Sequence, residues 1–121
     1  MHYKCHLFMS EMPTEEKVHD IMEPFRSNEG VRYPQKVKFI WSAYEVCGRY
    51  APWNGGVLKI ANLKRFDPSD CFILLDETGN STTRDSYFTL PGLSNRRFVE
   101  EAYKMAGKYE DGYVVIIDIL E

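Results

Sequence analysis

The segment from Tyr113 to Leu120 constrains the fold more than any other part of the chain. It reads YVVIIDIL, in which every residue but Asp118 is apolar and five are β-branched. A strand of this composition is typical of a sheet interior, where neighbouring layers cover both of its faces. We therefore expect residues 113–120 to form a central strand whose partners come from the rest of the chain.

Several other segments carry strand patterns. Alternation of apolar and polar residues predicts strands over residues 2–9, 37–46 and 57–63. A short apolar strand is predicted at residues 71–75, and the turn that follows it should return the chain along residues 83–90. We expect the strands at 37–46 and 57–63 to pair with each other as an antiparallel hairpin.

Apolar residues at helical spacing predict two helices. The first begins after Thr14, with Glu15 and Glu16 in its first turn, and should end close to Pro24, which cannot donate to the helical ladder. The second begins after Ser94, and Gly107 is placed to end it in the left-handed conformation. No repeat or linker interrupts the pattern, so we expect one domain over residues 1–121.

The order of these elements is βαββαβ with an extra β-hairpin before the second helix. This order predicts an α+β protein with a ferredoxin-like sheet and both helices on one face. No apolar run approaches the roughly 20 residues that cross a bilayer. The first residues lack the pattern of a secretory signal, so we expect a cytoplasmic protein that does not span a membrane.

Charge is distributed unevenly along the chain, although its net value is only −3. From Val31 to Phe66 there are seven bases and one acid, Glu45, which gives this segment a net charge of +6. The bases are Arg32, Lys36, Lys38, Arg49, Lys59, Lys64 and Arg65. A cationic block on a small acidic domain favours an anionic partner at that block.

Candidate binding residues concentrate between Trp41 and Tyr50, where tryptophan, tyrosine and arginine occur together. Aromatic rings combine a large apolar face with a polar tip, and arginine holds carboxylates or phosphates through two hydrogen bonds. Trp41 could instead be a core residue, since neighbouring residues of a strand face opposite sides. The candidate binding residues are Lys38, Tyr44, Arg49, Tyr50, Trp53, Lys59, Arg96 and Arg97.

Arg96 and Arg97 are included because they lie in the first turn of the second helix, where the helix dipole disfavours cations. Either ion pairs with Asp85, Glu100 or Glu101 compensate them, or an anionic ligand does.

The ten residues from Trp41 to Tyr50 resemble the segment W-D-x-Y-x-x-G-G-R-W/Y of small uncharacterised bacteriophage and prophage proteins. The matching positions are Trp41, Tyr44, Gly48, Arg49 and Tyr50. Ser42 replaces the acidic residue of that segment and Cys47 replaces its first glycine. The turn Asp76-Glu77-Thr78-Gly79 is similar to a D-x-x-G turn that such proteins carry downstream. The resemblance implies a phage origin, and with it a host protein, such as a defence component that the chain inhibits, as the partner.

Two other classes of function stay open from the residues. Aromatic side chains on an exposed sheet could stack bases, which would make the chain a nucleic-acid or nucleotide binder. A small enzyme could use the Cys47 thiol, with Arg49 to lower its pKa, or a carboxylate pair. The acids considered for such a pair are Asp67, Asp70, Asp76 and Glu77, at spacings that turns and helix caps also use.

We expect binding rather than catalysis, with no metal and no cofactor, because the histidines lack ligand spacing and no nucleotide-binding motif is present. Cys5, Cys47 and Cys71 contain no C-x-x-C pair, which predicts free thiols, and Cys5 and Cys71 lie among apolar neighbours that favour burial. An exposed aromatic face would also allow a homodimer.

Overall fold

The computed structural model describes residues 2–26, 41–46, 57–59, 71–84 and 93–120. In chain order the elements are β1 (His2–Met9), α1 (Glu15–Met22), a turn of 3-10 helix (Glu23–Phe25), β2 (Ala43–Val46), β3 (Val57–Lys59), β4 (Ile73–Asp76), β5 (Ser81–Thr83), α2 (Asn95–Lys108) and β6 (Tyr113–Leu120). The predicted α+β class is confirmed. Neither described helix has the length and apolar character needed to cross a membrane.

Helix α1 begins and ends where its sequence signals predict. The Thr14 side chain accepts a hydrogen bond from the Lys17 main-chain N–H at 3.2 Å, which caps the first turn. At the other end the regular helix stops at Met22, and the chain passes into the 3-10 turn that contains Pro24. Pro24 lacks the N–H that the α-helical ladder requires, and this accounts for the change.

Helix α2 runs one residue past the predicted stop. Gly107 lies inside the helix, and the Tyr109 main-chain N–H still bonds the Met105 carbonyl at 3.1 Å. Among the described glycines only Gly79 has a positive φ, so the prediction that Gly107 ends the helix in a left-handed conformation is wrong. The helix ends instead at Lys108, and its C-cap residue Tyr109 has a buried ring that belongs to the core.

The strands form one mixed sheet in the order β2-β6-β1-β4-β5, and β3 also pairs with β6. β6 is central and buried along most of its length, as its sequence predicts. β1 pairs antiparallel with β6 and parallel with β4. The predicted ferredoxin-like order is not confirmed, because β4, which we expected in an added hairpin, lies directly beside β1.

The two helices cover opposite faces of the sheet, which corrects the prediction that they share one face. Val18 and Met22 of α1 belong to a core cluster with alternate residues of β1 and β6, such as Cys5 and Ile117. The helix α2 packs on the intervening residues of the same strands. That second cluster contains Phe8, Leu74, Phe98, Ala102, Val114 and Ile116. β6 is apolar on both faces, so burying it takes a layer on each side.

β2 and β3 do not form the predicted hairpin with each other. β2 pairs antiparallel with Ile117–Leu120 and β3 pairs antiparallel with Tyr113–Val115, both on the side of β6 that faces away from β1. The two short strands therefore lie in line along one edge of the central strand. Because β6 is eight residues long, it can pair with both of them.

The hairpin of β4 and β5 is confirmed, and its second strand begins at Ser81, two residues before the predicted start. The turn at residues 76–80 joins them, and Gly79 adopts φ +88°, a conformation that favours glycine. The described part of the return strand is Ser81–Thr83, and residues 85–90 of the predicted strand lie outside the described residues.

Candidate functional site

The predicted binding residues are only partly within the described part of the chain. Lys38, Arg49, Tyr50 and Trp53 lie outside it, as does Cys47. Lys59 is described as part of β3 through its main chain. Tyr44, Arg96 and Arg97 are described with their side chains.

Tyr44 and the arginine pair do not share a surface. Tyr44 packs against the α1 side of the sheet, whereas Arg96 and Arg97 lie on α2, which covers the opposite face. Arg96 Nε lies 3.3 Å from Glu100 Oε1, one helical turn away, and its side chain is 89% exposed. The pairing of Arg96 with Glu100 is one of the two explanations considered above for a cation in the first turn of this helix. Exposed ion pairs of this kind contribute little stability.

Trp41 is a core residue rather than a contact for a ligand. It is 6% exposed, and its indole Nε1 donates a 2.7 Å hydrogen bond to the Met22 carbonyl. Its main-chain N–H donates to the Phe25 carbonyl at 3.0 Å. These two bonds attach the start of the β2 region to the end of α1, and they explain why a large aromatic residue stands at this position.

Tyr44 is half-buried and surrounded by side chains of α1 and its own strand. The rings of Tyr44 and Trp41 meet edge to face at a centroid distance of 4.9 Å, and the Tyr44 ring stacks on His19 at 6.5 Å. The Tyr44 hydroxyl lies 3.2 Å from His19 Nδ1, and His19 Nε2 lies 3.4 Å from Glu23 Oε2. The three side chains therefore form a connected polar chain on the α1 surface.

The electrostatic surroundings of Tyr44 keep its hydroxyl protonated. Burial raises the pKa of this phenol, and the negative charges of Glu15 and Glu23 raise it further. Both effects disfavour the phenolate. At neutral pH the group is a neutral hydrogen-bonding hydroxyl, suited to recognition and not to nucleophilic attack.

A groove of about 520 Å³ opens beside Tyr44, between the start of α1 and the outer strand β2. Such a volume lies in the range of sites that bind small ligands or short peptide segments, roughly 300–1,000 Å³. The described residues that line it are Pro13, Thr14, Glu15, Val18, Tyr44, Glu45, Val46 and Val115. Its wall is thus largely apolar, with hydroxyl and carboxyl groups among the lining residues.

A row of ionisable residues crosses the other face of the sheet. Glu45, Asp118 and Lys4 are neighbours in register on β2, β6 and β1, and His2 and His6 flank Lys4 on the same face of β1. Asp118 and Lys4 are buried, and His2 Nδ1 lies 2.7 Å from Asp118 Oδ1. Opposite charges next to each other in register offset the cost of burying them.

This ionic row is the structural feature that the sequence prediction missed. The available signal was Asp118, the one charged residue in the buried strand, together with alternate polar residues of β1. Because His6, Lys4 and Asp118 are each about 4% exposed, the row is a sealed polar cluster with only its ends near solvent.

The acids considered for catalysis are used to build a turn. Asp76 is buried and accepts hydrogen bonds from the main chain and side chain of Thr78 and from the main chain and side chain of Asn80. Glu77 accepts two bonds from Ser10. Both carboxylates are committed to structure, and Asp67 and Asp70 lie outside the described residues.

The described cysteines are structural. Cys5 and Cys71 are fully buried free thiols, as predicted, and burial raises the pKa of Cys5 well above 9.0, with Cys71 raising it further. A thiol in such a place is a poor nucleophile. Within the described ranges, no group of three or more His, Cys, Asp or Glu side chains could hold a metal ion.

Comparison of the chain with protein-family models, with curated proteins and with solved structures found no match.

Proposed function

We propose that this chain is a non-enzymatic binding protein that engages an anionic partner through residues 47–56, the segment between β2 and β3. The segment contains Arg49, Tyr50 and Trp53, residue types that dominate the energetics of protein interfaces. It also belongs to the block with a net charge of +6 between Val31 and Phe66.

The observation that carries the proposal is the placement of β2 and β3 on β6. Val46 and Val57 flank the segment in the chain, and they pair with Ile117 and Val115 on the same side of the central strand. The sheet therefore brings both ends of the segment to nearly the same place. Binding residues are often carried in this way, by a connection whose ends a rigid scaffold fixes.

Two findings favour binding over catalysis and a protein partner over bases. Asp76 and Glu77, the described acids that were considered for a catalytic carboxylate pair, are used in the turn. Trp41 is buried, and the ring of Tyr44 already stacks on His19 and contacts Trp41. The ring of Trp41 is therefore closed to a base.

The partner that we propose is a host-cell protein with an acidic surface. The resemblance of residues 41–50 to a segment of small phage and prophage proteins supports this choice, and it leads us to propose a component of a defence system that the chain inhibits. The ionic character of the contact makes the proposal testable, because binding through charges weakens as salt screens them.

The test compares wild-type protein with Arg49→Ala as bait for bacterial lysate, with Arg96→Ala as the matched control. Arg96 also carries an exposed cation, but on the face that α2 covers. We expect one acidic protein to be captured by wild type and Arg96→Ala and lost with Arg49→Ala. Binding of the purified pair should weaken at least tenfold between 50 and 500 mM salt, on the order expected for charge-driven association.

Several results would overturn the proposal. Equal capture by wild-type and Arg49→Ala protein would remove the segment from the interface. Binding of a labelled oligonucleotide that depends on Arg49, without any protein partner, would support the nucleic-acid alternative. Far-UV circular dichroism of each variant establishes that a lost interaction is not lost folding.

A further inference from the structure

A second site, opposite in charge to residues 47–56, lies in the groove between α1 and β2. We propose that this groove binds the lysine or arginine side chain of a basic peptide segment in a partner protein. The inference goes beyond the proposed function and does not depend on it, because it is carried by described residues on the α1 side.

The shape and lining of the groove suit a long side chain with an apolar stem. Val18, Val46 and Val115 provide an apolar lining, and Pro13 adds to the wall. Lysine and arginine bury their methylene stems along such surfaces while the charged head stays near polar groups. The neutral Tyr44 hydroxyl and the Glu15 carboxylate are polar groups of this kind beside the apolar wall.

Charge complementarity selects a cation as the occupant. Residues 11–26 contain five acids and two bases, Lys17 and Arg26. Lys17 pairs with Glu11 at 3.1 Å and Arg26 pairs with Glu23 at 3.5 Å. Within the described ranges, Glu15 has no lysine or arginine partner.

The start of a helix ordinarily favours anions, but here that preference is already met. The Thr14 side chain caps the Lys17 N–H, and Glu15 and Glu16 place two carboxylates in the first turn. The raised pKa of Tyr44, to which Glu15 contributes, is a further sign that the potential beside the groove is negative.

One large apolar side chain next to the groove in the chain is exposed. Met12, which precedes Pro13 in the chain, is 60% exposed and is one of two large hydrophobic side chains so exposed among the described residues. An exposed methionine beside a groove is a feature of surfaces that bind peptides. It would contact an apolar neighbour of the basic residue in the peptide.

The experiment measures binding of the peptide acetyl-Lys-Val-Lys-amide to ¹⁵N-labelled full-length protein by NMR. Norleucine in place of lysine gives a control peptide of the same length without charge. We expect the lysine peptide to shift the amide signals of Val18, Tyr44 and Val46, and the norleucine peptide to bind several-fold more weakly. A glutamate peptide should not bind.

The protein variants separate the local contact from general attraction. Glu15→Gln should weaken the lysine peptide about three- to fivefold, the size expected for one partly exposed ion pair. Glu16→Gln removes the same charge from the next residue, which does not line the groove. Its effect on peptide affinity should be less than half of the effect of Glu15→Gln. The peptide titration uses purified protein without any host partner, so failure here and failure of the proposed function are distinguishable.

The inference is overturned if the lysine peptide leaves the three amide signals in place, or if Glu15→Gln and Glu16→Gln weaken it equally. Equal binding of the norleucine peptide would also overturn it, because the groove would then be an apolar site without selectivity for cations. Both variants keep the Thr14 cap, and far-UV circular dichroism checks that α1 is retained.

Discussion

The indole Nε1 of Trp41 donates a 2.7 Å hydrogen bond to the main-chain carbonyl of Met22, in the last turn of α1. Both groups are buried, so the bond joins the outer strand to the helix at a point that water does not reach. The contact sets the position of Tyr44 three residues further on, whose ring rests against Trp41. Disrupting it should therefore affect both stability and the candidate site.

Trp41→Phe should lower the free energy of unfolding by about 1–3 kcal/mol, because it leaves the Met22 carbonyl buried without its donor. Urea denaturation followed by circular dichroism measures the change. Ser42→Ala is the matched control: its hydroxyl also donates to a main-chain carbonyl, that of Leu120, but in an exposed place. We expect a loss within about 0.5 kcal/mol for the control. Equal losses would show that the buried indole hydrogen bond contributes no more to stability than the exposed hydroxyl hydrogen bond of Ser42.

Asp76→Asn tests whether the turn depends on a carboxylate. The carboxylate accepts four hydrogen bonds from Thr78 and Asn80, and an amide has one acceptor oxygen instead of two. We expect the unfolding free energy to fall by about 2–3 kcal/mol. The pKa of Tyr109, raised chiefly by burial and then by Asp76 and Glu77, should move down toward its ordinary value.

Carbon-13 NMR of the Tyr109 ring follows that titration directly. Thr78→Ala keeps the charge of Asp76 and removes one donor to it, so it should reduce stability without lowering the pKa of Tyr109. A Tyr109 titration that is the same in Asp76→Asn and wild type would contradict the assignment of the charge effect to Asp76.

The chain should lose stability in alkaline solution from about pH 9 upward. In the unfolded chain the thiol of Cys5 ionises near 9.0 and tyrosines near 10.0, whereas in the folded state the pKa values of Cys5, Tyr44 and Tyr109 are all raised. The unfolded state therefore releases protons first, and the free energy of unfolding falls as pH rises. Each such group contributes a slope of up to about 1.4 kcal/mol per pH unit.

Cys5→Ala isolates the thiol part of this slope. The variant should lose the part of the pH dependence that starts near 9.0 and keep the part that the tyrosines produce above 10.0. Urea denaturation at intervals from pH 7 to 11 measures both proteins. Parallel curves for the variant and wild type would exclude Cys5 as a source of alkaline instability.

The sequence predicted the strands better than their arrangement. β6 was expected to be central because Tyr113–Leu120 is apolar on both faces, and the hairpin of β4 and β5 follows from its turn residues. The same pattern on β6 also requires a layer on each face, which is at odds with two helices on one side. A period-2 pattern identifies a strand without naming its partner, so β2 and β3 were paired with each other and not with β6.

The candidate site was predictable only in part, because the sequence shows which residue types favour binding but not which residues meet in space. Tyr44 stands out in the sequence because its residue type favours interfaces, and it does lie at the groove. The contact between Tyr44 and His19 was not predictable, since a single sequence does not reveal that the two residues approach each other across the fold. Glu15 stands in the first turn of α1, where the helix dipole favours an acid, and only the position of β2 places it beside a groove.

Gly112, at the turn between α2 and β6, should not tolerate a side chain. A Cβ atom at this position would overlap the carbonyl oxygen of Met9, which is main chain and cannot move without disturbing the end of β1. We expect Gly112→Ala to lower the free energy of unfolding by about 1–3 kcal/mol, the usual cost of forcing atoms into a packed site.

Gly107→Ala is the matched control, because nothing lies within 4 Å of its Cβ position and the residue is helical. That substitution should raise stability by about 0.5–1 kcal/mol, since alanine loses less backbone freedom in a helix than glycine. Thermal and urea denaturation of the two variants measure changes of opposite sign, and a Gly112→Ala protein as stable as wild type would show that Met9 and Gly112 are not in close contact.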